Sequence, residues 1–177
     1  MESFKETVES PEAWFRQAWQ MLEASKVNFD AFNDCKVLRT DRDMHRKNGL
    51  MDAAKLCLSL ALENAFKGAY VYLSKPDLSD NKLNTKHFHE KAHDLVDLAD
   101  RLGLFLSDGE RILLRRLTSF IVWAARYNAP LTERAFKDFD GEHKITYPHD
   151  FDYVEKLIES LQRQSGYSDE RGWPFKS

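Results

Sequence analysis

The residues of this chain best suited to acid–base or metal chemistry are three histidines, His87, His89 and His93. His89 and His93 are one helical turn apart, so a helix would place both on one face, where they could hold a metal ion. His87 would point elsewhere, and the glutamate of an H-E-x-x-H motif is missing. We therefore predict no metal site. Instead, His93 and Asp94 are expected to begin a helix, because Asp favours the positive end of the helix dipole.

A second group of residues has the chemistry of phosphate binding. Arginines and a serine recur at spacings of four, four and seven, as Arg111, Arg115, Ser119 and Arg126. Arginine contacts phosphate through two parallel hydrogen bonds, and the neighbouring Tyr127 could stack on a base. These residues predict either a strip that binds RNA or a nucleotide, together with His93 and Asp94, or simply a solvated arginine face.

A third group interrupts an otherwise apolar segment. Glu63 and Lys67 are four residues apart, in the order that favours an ion pair on a helix. They form either a structural ion pair or part of a cleft or dimer seam. Because the helix around them is apolar on most faces, we expect it to occupy the middle of a bundle.

Helices must position these groups, and caps and breakers predict where the helices lie. Ser10 and Pro11 begin the first helix, a Ser107–Glu110 capping box begins the fourth, and Gly103 ends the third. The predicted helices cover 11 to the high twenties, 50–74, 93–103, 107–130, 132–139 and 150–164. The segment 33–49 is predicted to be a mobile polar connector with at most a short helix.

Composition limits the classes of protein that fit. The chain has 177 residues, of which 42% are hydrophobic and 31% charged, as in ordinary globular domains. A net charge of −3 gives no general attraction to nucleic acid or membranes, so any such binding needs a local patch. We find no apolar signal segment and no run apolar enough to span a bilayer. Two cysteines without a metal-type spacing suit a reducing cytoplasm, which is the expected location.

These observations predict an all-α fold. We expect an antiparallel helical bundle of four to five core helices with an extra C-terminal helix. All 177 residues would form a single domain, with a core over about 11–130 and an extension over 131–177. Without a P-loop, a glycine-rich dinucleotide turn or a nucleophile motif, we predict no cofactor.

Three segments, in this order and spacing, resemble a HEPN domain, the higher-eukaryote and prokaryote nucleotide-binding helical family. They are A-L-E-N-A-F-K-G at 61–68, H-D-L at 93–95 and A-R-Y at 125–127. The resemblance covers about 11–130. It implies a helical bundle that is commonly a homodimer. It also implies a role in prokaryotic defence or toxin–antitoxin systems, with partners such as a nucleotidyltransferase or an antitoxin.

Some members of that family are metal-independent RNases that use an R-x(4–6)-H motif. The resemblance makes Arg126 the candidate arginine, but the positions where the histidine would follow hold Leu131, Thr132 and Glu133. A literal match, Arg39 to His45, lies ahead of the central helix and is attributed to chance. We therefore expect a non-catalytic domain that binds RNA, a nucleotide or a protein. The alternative is an RNase in which Arg126 acts with His93 or His45 from elsewhere in a dimer.

Overall fold

The computed structural model describes residues 3–76, 78–79, 82–88, 93–127, 129–130, 132–138 and 144–174, and within them the fold is all-α, as predicted. The α-helices are α1 (Phe4–Glu9), α2 (Pro11–Asp34), α3 (Asp41–Leu73), α4 (Leu95–Arg101), α5 (Asp108–Ser119), α6 (Glu133–Asp138) and α7 (His149–Gln164). A 3₁₀ turn covers Thr85–His87, and a π-helical turn, Phe120–Ala124, follows α5. Two short antiparallel strands, β1 (Leu78–Ser79) and β2 (Lys82–Leu83), pair Leu78 with Leu83.

The predicted helix starts are confirmed where a capping residue marked them. The Ser10 hydroxyl accepts from the Ala13 N–H, with Pro11 in the first turn of α2. Ser107 and Glu110 form the predicted capping box of α5. Asp94 caps α4 by accepting hydrogen bonds from two backbone N–H groups, which satisfies donors that have no partner within the helix.

The prediction of a polar connector over 33–49 is wrong for most of that segment. Helix α2 continues to Asp34, and α3 already begins at Asp41. The Thr40 hydroxyl accepts from the Asp43 N–H at 3.2 Å, and the Asp43 carboxylate accepts from the Thr40 N–H at 3.0 Å. This capping box starts a helix whose first turns are largely exposed, so no apolar periodicity marks them.

The predicted end of the fourth helix at Pro130 is also wrong. The α-helical pattern stops at Ser119, and the π turn ends at Ala124. The N–H groups of Arg126 and Tyr127 both donate to the Trp123 carbonyl at 2.8 Å, which closes the last turn before Pro130 is reached.

Helices α2 and α3 run antiparallel and form the centre of the core. Near one end the Ser25 hydroxyl donates to the Ala54 carbonyl at 2.7 Å, and near the other Gly68 lies against Trp14. Small and apolar residues of α3 are fully buried, as expected for a central helix: Ala54, Leu58, Ala61, Leu62, Ala65 and Phe66.

Helix α7, predicted as part of a C-terminal extension, packs directly on this pair. The Trp19 indole N–H donates to the Gln162 side chain at 2.6 Å, and the Phe29 and Phe151 rings lie 5.3 Å apart. Val154 and Ile158 are fully buried in the same hydrophobic cluster as α2 and α3. The C-terminal helix is therefore part of the core.

Candidate functional site

The predicted pair on the central helix forms a buried ion pair. Glu63 is only 4% exposed, and the Lys67 ammonium donates to its carboxylate. The same ammonium lies 5.3 Å from the centre of the Phe88 ring, a cation–π contact. Both charges are thus compensated inside the fold.

His93 joins this pair from a distant part of the sequence. Its Nδ1 lies 3.1 Å from both Glu63 carboxylate oxygens. The side chain is 56% exposed, and its Nε2 makes no hydrogen bond within the described part of the chain. We call Glu63, Lys67 and His93 the Glu63 cluster.

The start of α4 holds His93 in place. Asp94 caps this helix, and the N–H of Leu95 donates to the Thr118 hydroxyl of α5 at 3.0 Å. A carboxylate that accepts from one nitrogen of an imidazole fixes the ring and leaves the other nitrogen for a proton or a ligand. The Glu63 cluster therefore presents an oriented imidazole at the surface.

The predicted arginines differ in what they contact. Arg111 forms a two-bond ion pair with Asp100, at 3.1 and 2.7 Å. This contact lowers the pKa of Asp100 and raises that of Arg111, so Arg111 is already paired. Arg115 is exposed, and its backbone carbonyl accepts from the Ser119 hydroxyl.

Arg126 and Tyr127 form an exposed cation–π pair just after the π turn. The guanidinium lies 5.1 Å from the centre of the Tyr127 ring and donates to the Ile121 carbonyl at 3.1 Å. It thus also caps the preceding turn. A π turn holds an extra residue, so the spacing of seven after Ser119 no longer indicates a face shared with Arg115.

The structure shows no direct contact between Arg126 and His93 within one chain. Among the described residues no hydrogen bond, ion pair or ring contact joins them.

The other histidines considered lie elsewhere. His45 is exposed in the first turns of α3, about 27 Å along the helix from Glu63. His87 Nε2 lies 3.1 Å from the Ser74 carbonyl, and its ring packs edge-on against Tyr70. His89, the other half of the metal hypothesis, lies outside the described residues. Those that are described contain no group of three or more potential metal ligands.

The contact between His93 and Glu63 was not predicted from the sequence. The two residues are thirty positions apart, and no local spacing links them. The signals that marked each one separately were an acidic residue on an apolar helix and a histidine beside a helix cap.

The chain matches no family model, no curated protein and no solved structure. Within the described ranges, no helix combines the length and the apolar character that crossing a membrane requires. The function is therefore inferred from the geometry of the Glu63 cluster and of the Arg126–Tyr127 pair.

Proposed function

We propose that this chain is a HEPN-like helical domain that binds RNA or a nucleotide without catalysing a reaction. The observation that supports this most directly is the exposed cation–π pair of Arg126 and Tyr127. The guanidinium has N–H donors beyond those it uses in the fold and can contact a phosphate, while the tyrosine ring can stack on a base. Arg115, exposed on α5, would add a second phosphate contact.

The role of the other predicted binding residues follows from their contacts. Arg111 would have to leave Asp100 to reach a phosphate, so we assign it a positioning role. Asp94 is engaged as the cap of α4, whereas His93 keeps an exposed nitrogen that can hydrogen-bond a ligand. Since the chain carries a net charge of −3, this binding would be local and sensitive to salt.

The test is fluorescence anisotropy with a labelled single-stranded RNA and with a labelled nucleotide, at low and moderate salt. We expect Arg126→Ala and Tyr127→Ala each to weaken binding by about tenfold, and Arg115→Ala to weaken it and reduce the salt slope by about 1. Arg163→Ala, which removes an exposed arginine of α7, is the matched control and should leave binding unchanged. Binding that is absent, or equally sensitive to the control, would contradict the proposal.

The Glu63 cluster favours a second candidate function, a metal-independent RNase. An imidazole oriented by a carboxylate can act as a general acid or base, and Arg126 could stabilise charge on the phosphate. The resemblance draws the arginine and the histidine from two subunits, so this activity would pair Arg126 of one subunit with His93 of the other in a dimer.

Mixing two inactive variants tests this arrangement. Each of Arg126→Ala and His93→Ala should abolish RNA degradation in the presence of a metal chelator. Heterodimers formed from the two variants should regain activity, because one of their two sites would contain both residues. Lack of degradation by the wild-type protein, or failure of the mixture to recover activity, would remove the RNase candidate.

The homodimer and the biological setting are part of the proposal. We expect light scattering to give twice the mass of one chain. We also place the domain in a prokaryotic defence or toxin–antitoxin-type system with a protein partner such as a nucleotidyltransferase or an antitoxin. Co-purification with the product of a neighbouring gene would support that setting, and a monomer in solution would contradict the dimer.

A further inference from the structure

A cavity whose lining does not include Arg115 or Arg126 opens where α1 and the segment after α7 meet the end of α3. Its volume is about 480 Å³, within the range of small-molecule sites. Its walls come from α1, the start of α2, the last turn of α3 and the segment that follows α7. The lining includes three glutamates, two aromatic residues and a serine: Glu6, Glu9, Glu12, Tyr72, Trp173 and Ser165.

The charge of the cavity is negative. Three glutamates line it, and the one lysine among its lining residues, Lys75, is 82% exposed and lies 4.0 Å from Glu9. At that distance and exposure the ion pair contributes little. A cationic ligand could replace Lys75 beside Glu9 at small cost and would gain the field of the other carboxylates.

Two aromatic side chains form another part of the wall. The Trp173 ring lies 5.5 Å from the Phe15 ring and 5.6 Å from the Tyr167 ring, so core contacts hold it in place. Tyr72 is about half-exposed beside it. Aromatic faces next to carboxylates favour cations that also carry apolar surface.

A buried hydroxyl provides an independent indication of a ligand. Ser165 is only 2% exposed and lies in the cavity wall. Its N–H donates to the Leu161 carbonyl, whereas its hydroxyl makes no hydrogen bond to another described residue and is not among the fully enclosed atoms, so it remains accessible from the cavity. Buried hydroxyl groups normally have a partner, and a ligand in the cavity would supply one.

We infer that this cavity binds an organic cation, with an ammonium or guanidinium group among the glutamates and its apolar part against Tyr72 and Trp173. Two sources share this chemistry, an arginine or lysine side chain of a peptide and a free polyamine. The inference does not depend on RNA or nucleotide binding at Arg126, because the two sites use separate residues.

Calorimetry with N-acetyl-argininamide and spermidine, each against the wild-type protein, tests the inference. We expect at least one of them to bind, and the uncharged citrulline analogue to bind at least about tenfold more weakly than N-acetyl-argininamide if the peptide source is correct. Tighter binding of spermidine would instead indicate the polyamine source. Absence of binding by both cations, or equal binding of the uncharged analogue with no binding of spermidine, would overturn the inference.

Variants locate the binding in the cavity. The double change Glu9→Gln and Glu12→Gln should weaken cation binding by about tenfold, whereas Glu23→Gln, a glutamate of α2 that does not line the cavity, should leave it unchanged. Trp173→Leu should weaken binding and Trp173→Phe should retain most of it, with thermal unfolding used to check that both variants fold. Equal loss in Glu23→Gln, or no loss in the double variant, would place the cation elsewhere and overturn the assignment.

Discussion

At the scale of single residues, the central feature is a buried carboxylate that serves two partners. Glu63 binds the Lys67 ammonium from its own helix and His93 from the start of α4. Removing two charges from water is costly, and their mutual attraction offsets that cost only while both are present. Glu63 therefore stabilises the fold and orients a surface imidazole at the same time.

Double substitution tests the stabilising role. Glu63→Leu should destabilise the protein by about 3–5 kcal/mol, because it leaves the Lys67 ammonium buried without its carboxylate. Adding Lys67→Met should recover a large part of that loss, since the uncompensated charge is then gone. Urea unfolding measures both variants, and a double variant as unstable as the single one would show that the pair does not behave as a buried ion pair.

Acid should weaken the capping contact of α5. The Ser107 hydroxyl, and then the Ser107 backbone N–H, hold the pKa of Glu110 below its ordinary value. A carboxylate whose pKa is lowered in the folded state stabilises the fold fully above its unfolded pKa of about 4.3. That contribution is lost as the pH falls through the lower, folded value.

The variant Glu110→Gln tests whether this contribution to stability is lost as the pH falls. At pH 7 it should lower the free energy of unfolding measured in urea, by less than the about 1 kcal/mol expected when Ser107→Ala removes the cap hydroxyl. The difference between wild type and Glu110→Gln should shrink as the pH falls below about 4.3, where Glu110 of the unfolded chain binds a proton, and should vanish below the lower pKa of the folded state. A difference that stays constant down to acidic pH would contradict this account.

At the scale of elements, the buried part of α3 can be predicted from the sequence, whereas its exposed first turns were missed. Its buried part, from Ala54 onward, was predicted from apolar residues on most faces. Its first turns depend on the Thr40–Asp43 capping box and are largely exposed, so only the cap could have revealed them. We interpreted the charged residues there as a connector because no apolar stripe accompanied them.

Two glycines of α3 should respond in opposite ways to alanine. A Cβ on Gly68 would lie 3.0 Å from the Trp14 Cβ and 3.1 Å from the Phe15 ring, so Gly68→Ala should destabilise by about 1–3 kcal/mol. A Cβ on Gly49 would meet nothing within 4 Å, so Gly49→Ala should stabilise by about 0.5–1 kcal/mol. Thermal unfolding measures both variants. If the two unfolding midpoints shifted in the same direction, the result would contradict the close packing of α2 on α3 at Gly68.

At the scale of the whole molecule, the C-terminal helix belongs to the same core as the two long helices. Phe151, Val154 and Ile158 are buried against α2 and α3, and Lys26 of α2 forms an ion pair with Glu155 of α7. A helix that was only an addition to a complete bundle would contribute little to this cluster.

Core truncations in two helices test this arrangement. Ile158→Ala in α7 should cost about 2–5 kcal/mol, a loss comparable to that of Leu62→Ala in α3. Both variants should unfold in a single cooperative transition, with a urea midpoint below that of the wild type. A much smaller effect of Ile158→Ala, or a separate transition for α7, would show that the C-terminal helix folds apart from the rest.

The sequence by itself determined the all-α class, the caps of α2, α4 and α5, and the burial of the central helix, because caps and helical periodicity are local properties. It also identified Glu63, Lys67, His93 and Arg126 one by one. Only the tertiary structure decided that Glu63 meets His93, that Asp100 pairs with Arg111, and that α7 completes the core. Those contacts join residues far apart in the chain, and no short spacing records them. The physical reason is that packing, rather than propensity, determines which buried and exposed faces meet.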